Sequence, residues 1–66
     1  MMVRLEGGVL DGETYDLFGF RLIQFVASDD EEWTEEYELP SIPPDAAALP
    51  VARFTKKTVL WARGER

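Results

Sequence analysis

All four prolines of this chain fall between Pro40 and Pro50, in the run Pro-Ser-Ile-Pro-Pro-Asp-Ala-Ala-Ala-Leu-Pro. Proline has no N–H to donate to a ladder, so this stretch cannot be a central strand. It reads as a Pro-rich loop or arm over residues 40–50, with room for one helical turn at Asp45–Leu49. A loop of this length in so small a domain is often functional.

The segments on either side read as strands. Val3 and Leu5 alternate with Arg4 and Glu6, the period of a half-buried strand. Asp11-Gly12 is a strong short hairpin signal. After it, Tyr15 and Leu17 share one face. Val3–Leu17 is therefore expected to be a hairpin, with Gly7-Gly8 as a bulge or bend near its turn. Phe18-Gly19-Phe20 reads as a second turn. Arg21–Ala27 is short and rich in β-branched and aromatic residues, which favours a strand. Being apolar on both faces except at Gln24, it is the candidate for the central strand.

Two readings compete for Ser28-Asp29-Asp30-Glu31-Glu32. One is a capped helical turn with acids in its first turn, the other a solvated loop. Trp33, Tyr37 and Leu39 then share a face that Glu35 interrupts. The reading favoured here is an edge strand whose inward charge acts against edge-to-edge pairing. Val51–Thr55 and Thr58–Ala62 are strand-like runs joined by Lys56-Lys57. A tight hairpin is expected; one long bent strand is the alternative, because Lys-Lys is poor turn chemistry. Gly64-Glu65-Arg66 is expected to fray. The expected fold is mainly β: one domain over residues 1–66, as a small antiparallel sheet or partly open barrel of about five strands.

A chain of 66 residues buries a modest share of its surface and usually needs a staple. It has no cysteine, so disulfides and thiolate metal sites are excluded, and no histidine, the commonest general base. Two ways to stability remain. One is contact with another protein surface, including a copy of itself. The other is a compact core holding Trp33, Trp61 and the four phenylalanines. No secretory signal pattern is visible near the N-terminus, and no apolar run is long enough to span a membrane. No cofactor is expected.

Charge is unevenly spread. Residues 1–28 carry two basic and four acidic side chains, residues 29–50 none and eight, and residues 51–66 five and one. The segments therefore sum to −2, −8 and +4, giving the net −6. Nucleic acid is a poor fit as partner, since phosphate binding rests on excess Lys and Arg. Asp29–Glu38 has seven carboxylates in ten positions, but not in the order of a calcium loop. Paired carboxylates in a cleft can hydrolyse glycosides, but a chain of this size hardly builds such a cleft. The expectation is a non-enzyme with no catalytic or metal residue. Trp33, Glu35, Glu36, Tyr37 and Glu38 are candidate contacts to a basic partner, because aromatics concentrate binding energy. The plainer reading is a solvated face that keeps the chain soluble. Arg53, Lys56, Lys57, Arg63 and Arg66, with Trp61 beside them, form the opposite pole. They either pair loosely with the acidic segment of the same chain or meet it on a neighbour, head to tail.

Val3–Leu17, reading Val-Arg-Leu-Glu-Gly-Gly-Val-Leu-Asp-Gly-Glu-Thr-Tyr-Asp-Leu, resembles the N-termini of short proteins from actinobacteria and their tailed phages. Those begin roughly Leu-x-Gly-Gly-Pro-Leu-Asp-Gly-x-Thr; here Val9 stands where proline is usual. Arg53-Phe54-Thr55 and Val59-Leu60-Trp61 look like a shortened form of their ending. The resemblance implies a phage context without a defined activity. The expectation is a protein-binding minor virion subunit, capsid-decorating or head-associated, located in the virion or the bacterial host cytoplasm. Its partner would be a capsid or other virion protein. The alternative is an acidic inhibitor of a host or defence protein.

Overall fold

The computed structural model describes residues 1–39 and 49–64. Five strands are present: β1 (Met2–Glu6), β2 (Thr14–Asp16), β3 (Arg21–Ala27), β4 (Glu31–Glu38) and β5 (Val51–Ala62). They form one sheet in the order β2-β1-β5-β4-β3, curled into a half-barrel, with no helix among the described residues. The fold is thus the mainly β, partly open form expected. One pair departs from an all-antiparallel sheet: β1 runs parallel to β5, from Arg4↔Val51 to Glu6↔Arg53.

β1 and β2 pair as the expected hairpin, from Met2↔Asp16 to Arg4↔Thr14. Its connection is longer than a two-residue turn. The Leu10–Glu13 turn closes with the Glu13 N–H on the Leu10 carbonyl at 3.0 Å. Gly12 sits at its third position with φ +87°, the conformation a type II turn demands there.

Three expectations need correction. First, β4 is not an edge. It lies between β3 and β5, paired along its length with both. Second, Arg21–Ala27 is the outer strand rather than the central one, since among the described residues β3 has β4 on one side and no neighbour on the other. Third, Lys56-Lys57 makes no turn, and β5 runs unbroken through it. The physical reason is cross-strand charge. Glu35 lies opposite Lys57 and Glu36 opposite Lys56, so the lysines face carboxylates in register. β5 absorbs two extra residues, Thr55 and Leu60, as bulges where the register shifts.

The acidic run begins as a tight turn and continues as strand, not as a helix. The Ser28 N–H bonds the Glu31 carbonyl at 2.8 Å. The Ser28 Oγ accepts the Glu31 N–H at 3.1 Å, a hydroxyl standing in for backbone in the turn. The expected second turn at Phe18-Gly19-Phe20 is present, with Gly19 at φ +89°. The Pro40–Ala48 part of the loop, with most of its expected helical turn, and Glu65-Arg66 lie outside the described residues.

The buried core is small: Val3, Leu5, Leu17, Tyr37, Leu39 and Ala52, with Leu10, Tyr15, Leu22 and Phe54 packed against it. The compact aromatic core expected from the sequence does not form. Of the four phenylalanines only Phe54 joins the core; Phe18, Phe20 and Phe25 are exposed, and so is Trp61. The chain is elongated, with extents of 48 × 16 × 16 Å and a Cα radius of gyration of 13.6 Å. A compact domain of this length would have roughly 11 Å.

Candidate functional site

The register sorts side chains into two faces. Leu22, Tyr37 and Phe54 form one row of the inner face, Gln24, Glu35 and Lys57 the next, and Val26, Trp33 and Val59 the third. The outer face alternates with it: Arg21, Glu38 and Arg53; Ile23, Glu36 and Lys56; Phe25, Thr34 and Thr58; Ala27, Glu32 and Trp61. The ten candidate contact residues are therefore split. Trp33, Glu35, Tyr37 and Lys57 face inward, Glu36, Glu38, Arg53, Lys56 and Trp61 face outward, and Arg63 lies in the turn after β5.

Glu35 is the one buried charged side chain among the described residues. Its Oε1 accepts the Val9 N–H at 2.9 Å and the Tyr37 hydroxyl at 2.7 Å. Its Oε2 accepts the Trp33 indole N–H at 2.8 Å. A buried carboxylate is tolerated only when so satisfied. Burial pushes the Glu35 carboxyl up, but the bonds from Trp33, Tyr37 and Val9 and the charge of Lys57 outweigh it. The net position is below the ordinary carboxylate value.

Tyr37 completes the cluster. Its hydroxyl also lies 3.0 Å from the Gly7 carbonyl and accepts the Leu10 N–H at 3.3 Å. It has one proton, and Glu35 is the shorter, charge-assisted acceptor. Burial, then the bond to Glu35, push its pKa up to about 12. The Phe54 ring meets Tyr37 edge-on at 5.7 Å.

This cluster is what the Gly-Gly stretch is for. The loop after β1 lies directly on Glu35 and Tyr37. A Cβ on Gly8 would come within 2.4 Å of both Glu35 Oε1 and the Tyr37 hydroxyl. Gly8 also has φ +67°, so two separate constraints select glycine. Glu35, far from guarding an edge, anchors the first hairpin to β4. Its Oε1 makes that link, while Oε2 is held by Trp33 of the same strand.

Much of the remaining acidic run is paired within the chain. Arg21 meets Glu36 and Glu38 at 3.5 and 3.6 Å, and Arg63 meets Asp30 at 3.3 Å. Lys57 reaches Glu31 at 2.9 Å while lying 4.5 Å from the centre of the Trp33 ring. Lys57–Glu31 and Arg63–Asp30 join the two poles within the chain, and Arg21 takes up Glu36 and Glu38.

What the chain leaves open is apolar. Phe18 and Phe20 flank the entry to β3, and Ile23 and Phe25 project from its outer face; all four are more than half exposed. The sequence signal was present in the uncharged run Leu22–Val26, which also fits a central strand. An open hollow lined by Phe20, Arg21, Glu38 and Leu39 adjoins this edge. Among the described residues no group of His, Cys, Asp or Glu is placed to hold a metal ion, and no helix is long and apolar enough to cross a membrane. No protein-family model, curated protein or solved structure matches the chain.

Proposed function

We propose that this chain is a non-enzymatic protein-interaction module, working as a minor virion subunit that decorates the capsid or associates with the head. The observation that carries the interaction reading is the unfinished β3 side of the sheet. It combines a strand edge that has no neighbour among the described residues with Phe18, Phe20, Ile23 and Phe25 in solvent. Apolar surface exposed in this way marks contact sites. The resemblance of Val3–Leu17 to short phage and actinobacterial proteins supplies the virion context.

Mass spectrometry of purified particles tests this reading. The chain is expected among the particle proteins, and its absence would refute the virion role. The alternative, an acidic inhibitor of a host or defence protein, needs a free acidic surface. Glu35 cannot serve there, because it lies under the hairpin loop. That reading now rests on Glu32, Glu36 and Glu38. It predicts that reversing Glu36 and Glu38 together abolishes a salt-sensitive association.

A further inference from the structure

Among the described residues the sheet has three stretches of free edge, and two are blunted. β2 has three residues, and Asp16 at its end is tied to the N-terminal ammonium at 2.7 Å. Beyond Arg53, β5 has lost β1 as neighbour, but that stretch carries Lys56 and Lys57 and both bulges. Short length, lysines and bulges are the devices that keep edges from pairing. β3 has none of them. It is seven residues long and straight in register against β4, and its one charge is Arg21 at the end.

The free backbone groups of β3 can be identified. The Leu39 N–H bonds the Phe20 carbonyl at one end of the β3–β4 ladder, and the Ser28 N–H bonds the Glu31 carbonyl at the other. Alternation between these ends commits Leu22, Gln24 and Val26 to β4. Arg21, Ile23, Phe25 and Ala27 then direct their N–H and C=O groups outward.

We propose that β3 pairs with β3 of a second copy, antiparallel about a two-fold axis at Gln24. The inference identifies the partner of this one edge within the interaction reading above. In that register Arg21 faces the partner's Ala27, Leu22 its Val26, Ile23 its Phe25, and Gln24 its Gln24. Every outward-facing residue meets another, giving four hydrogen-bonded pairs with two bonds each. A β-branched residue meets an aromatic on the outer face, a favourable cross-strand pair. The two Arg21 side chains lie at opposite ends, roughly 20 Å apart at strand rise. Each sits beside the other copy's Ser28-Asp29-Asp30 turn, so the only charge on the strand is matched by acids. An in-register parallel pairing would instead set Arg21 beside Arg21. The two-fold arrangement uses each edge once and closes as a dimer.

Sedimentation equilibrium and engineered cross-linking test this. The wild-type chain is expected to dimerise reversibly below about 0.1 mM. Phe25→Lys is expected to raise the dissociation constant about a hundredfold, because the change occurs twice across the axis. Phe25→Pro, which removes an N–H no bond within the chain uses, should act likewise. Gln24 pairs with itself at a non-hydrogen-bonded position, where Cα atoms lie about 4.5 Å apart, within disulfide range. In this cysteine-free chain, Gln24→Cys should oxidise rapidly to a covalent dimer and Thr14→Cys on β2 should not. A monomer at about 0.1 mM, or equal cross-linking rates at the two positions, overturns the proposal. A monomer found in purified particles would sink self-pairing and leave the virion role standing; a dimer absent from particles would do the reverse.

Discussion

The inner and outer faces of this sheet treat misplaced side chains in opposite ways. On the inner face a carboxylate is buried, and every polar atom around it finds a partner. On the outer face and along β3, aromatic and aliphatic side chains stand in water, uncovered by any described residue. Burying a charge is costly unless it is fully bonded, so the inner arrangement is a closed, internal device. Exposing a cluster of large apolar groups is costly in another way, and a proposed partner would relieve it. Stability rests on the inner face, and the proposed association on the other.

Substitutions can break or sharpen that division. The largest effect is expected for Gly8→Ala, which adds a Cβ against Glu35 and Tyr37 at a left-handed backbone position. Strain and overpacking together should cost about 3 kcal/mol or more. A urea midpoint close to wild type would show that the loop does not seal the cluster.

Glu35→Gln comes next. Whichever way the amide turns, an NH2 group faces a donor, at a cost of about 2 kcal/mol. The native carboxyl has its pKa lowered on folding, so its contribution is present above the ordinary value of 4.5 and lost as pH falls below it. Acid unfolding curves of the wild type should steepen there, and those of Glu35→Gln should be flatter. Parallel curves would separate Glu35 from the acid limb.

Tyr37→Phe should cost about 1 kcal/mol. Its hydroxyl is raised to about 12 from 10.0, so the stability it gives is full below 10 and lost as pH rises through 12. Thermal melts in that alkaline window should fall for wild type and stay nearly level for the variant. For the exposed Lys57–Glu31 pair, Lys57→Met should change stability by less than about 1 kcal/mol, as surface ion pairs do. The smallest effect is expected for Phe25→Lys in dilute, monomeric protein, within about 0.5 kcal/mol. A large loss there would mean that Phe25 belongs to the fold rather than to a partner.

Strand existence was legible because period-2 alternation and the Gly and Pro breaks are local properties. Neighbour order was not. Arg21–Ala27 is apolar enough for a central strand, and no local rule says that the chain never returns to its far side. The Lys56-Lys57 dipeptide was ambiguous for the same reason: lysines fit a strand only once Glu35 and Glu36 are known to lie opposite. Glu35 looked like an error in an apolar face because its three donors come from Trp33 and Tyr37 nearby and from Val9, 26 residues earlier. The glycine pair was legible as a bend, but not as the point where a loop presses onto a buried acid.

The position of β5 has a consequence for how the protein comes into being. β5 comes last of the five strands in chain order, yet among the described residues it is the only strand that pairs with both the β1–β2 hairpin and the β3–β4 hairpin. Its contact with β1 joins residues 47 apart, Arg4 and Val51. Until residues 51–62 have been made, the two hairpins have no shared strand, and isolated hairpins are at best marginally stable. Assembly of the sheet therefore waits for residues 51–62, and a chain cut short before Val51 has no route to the native sheet.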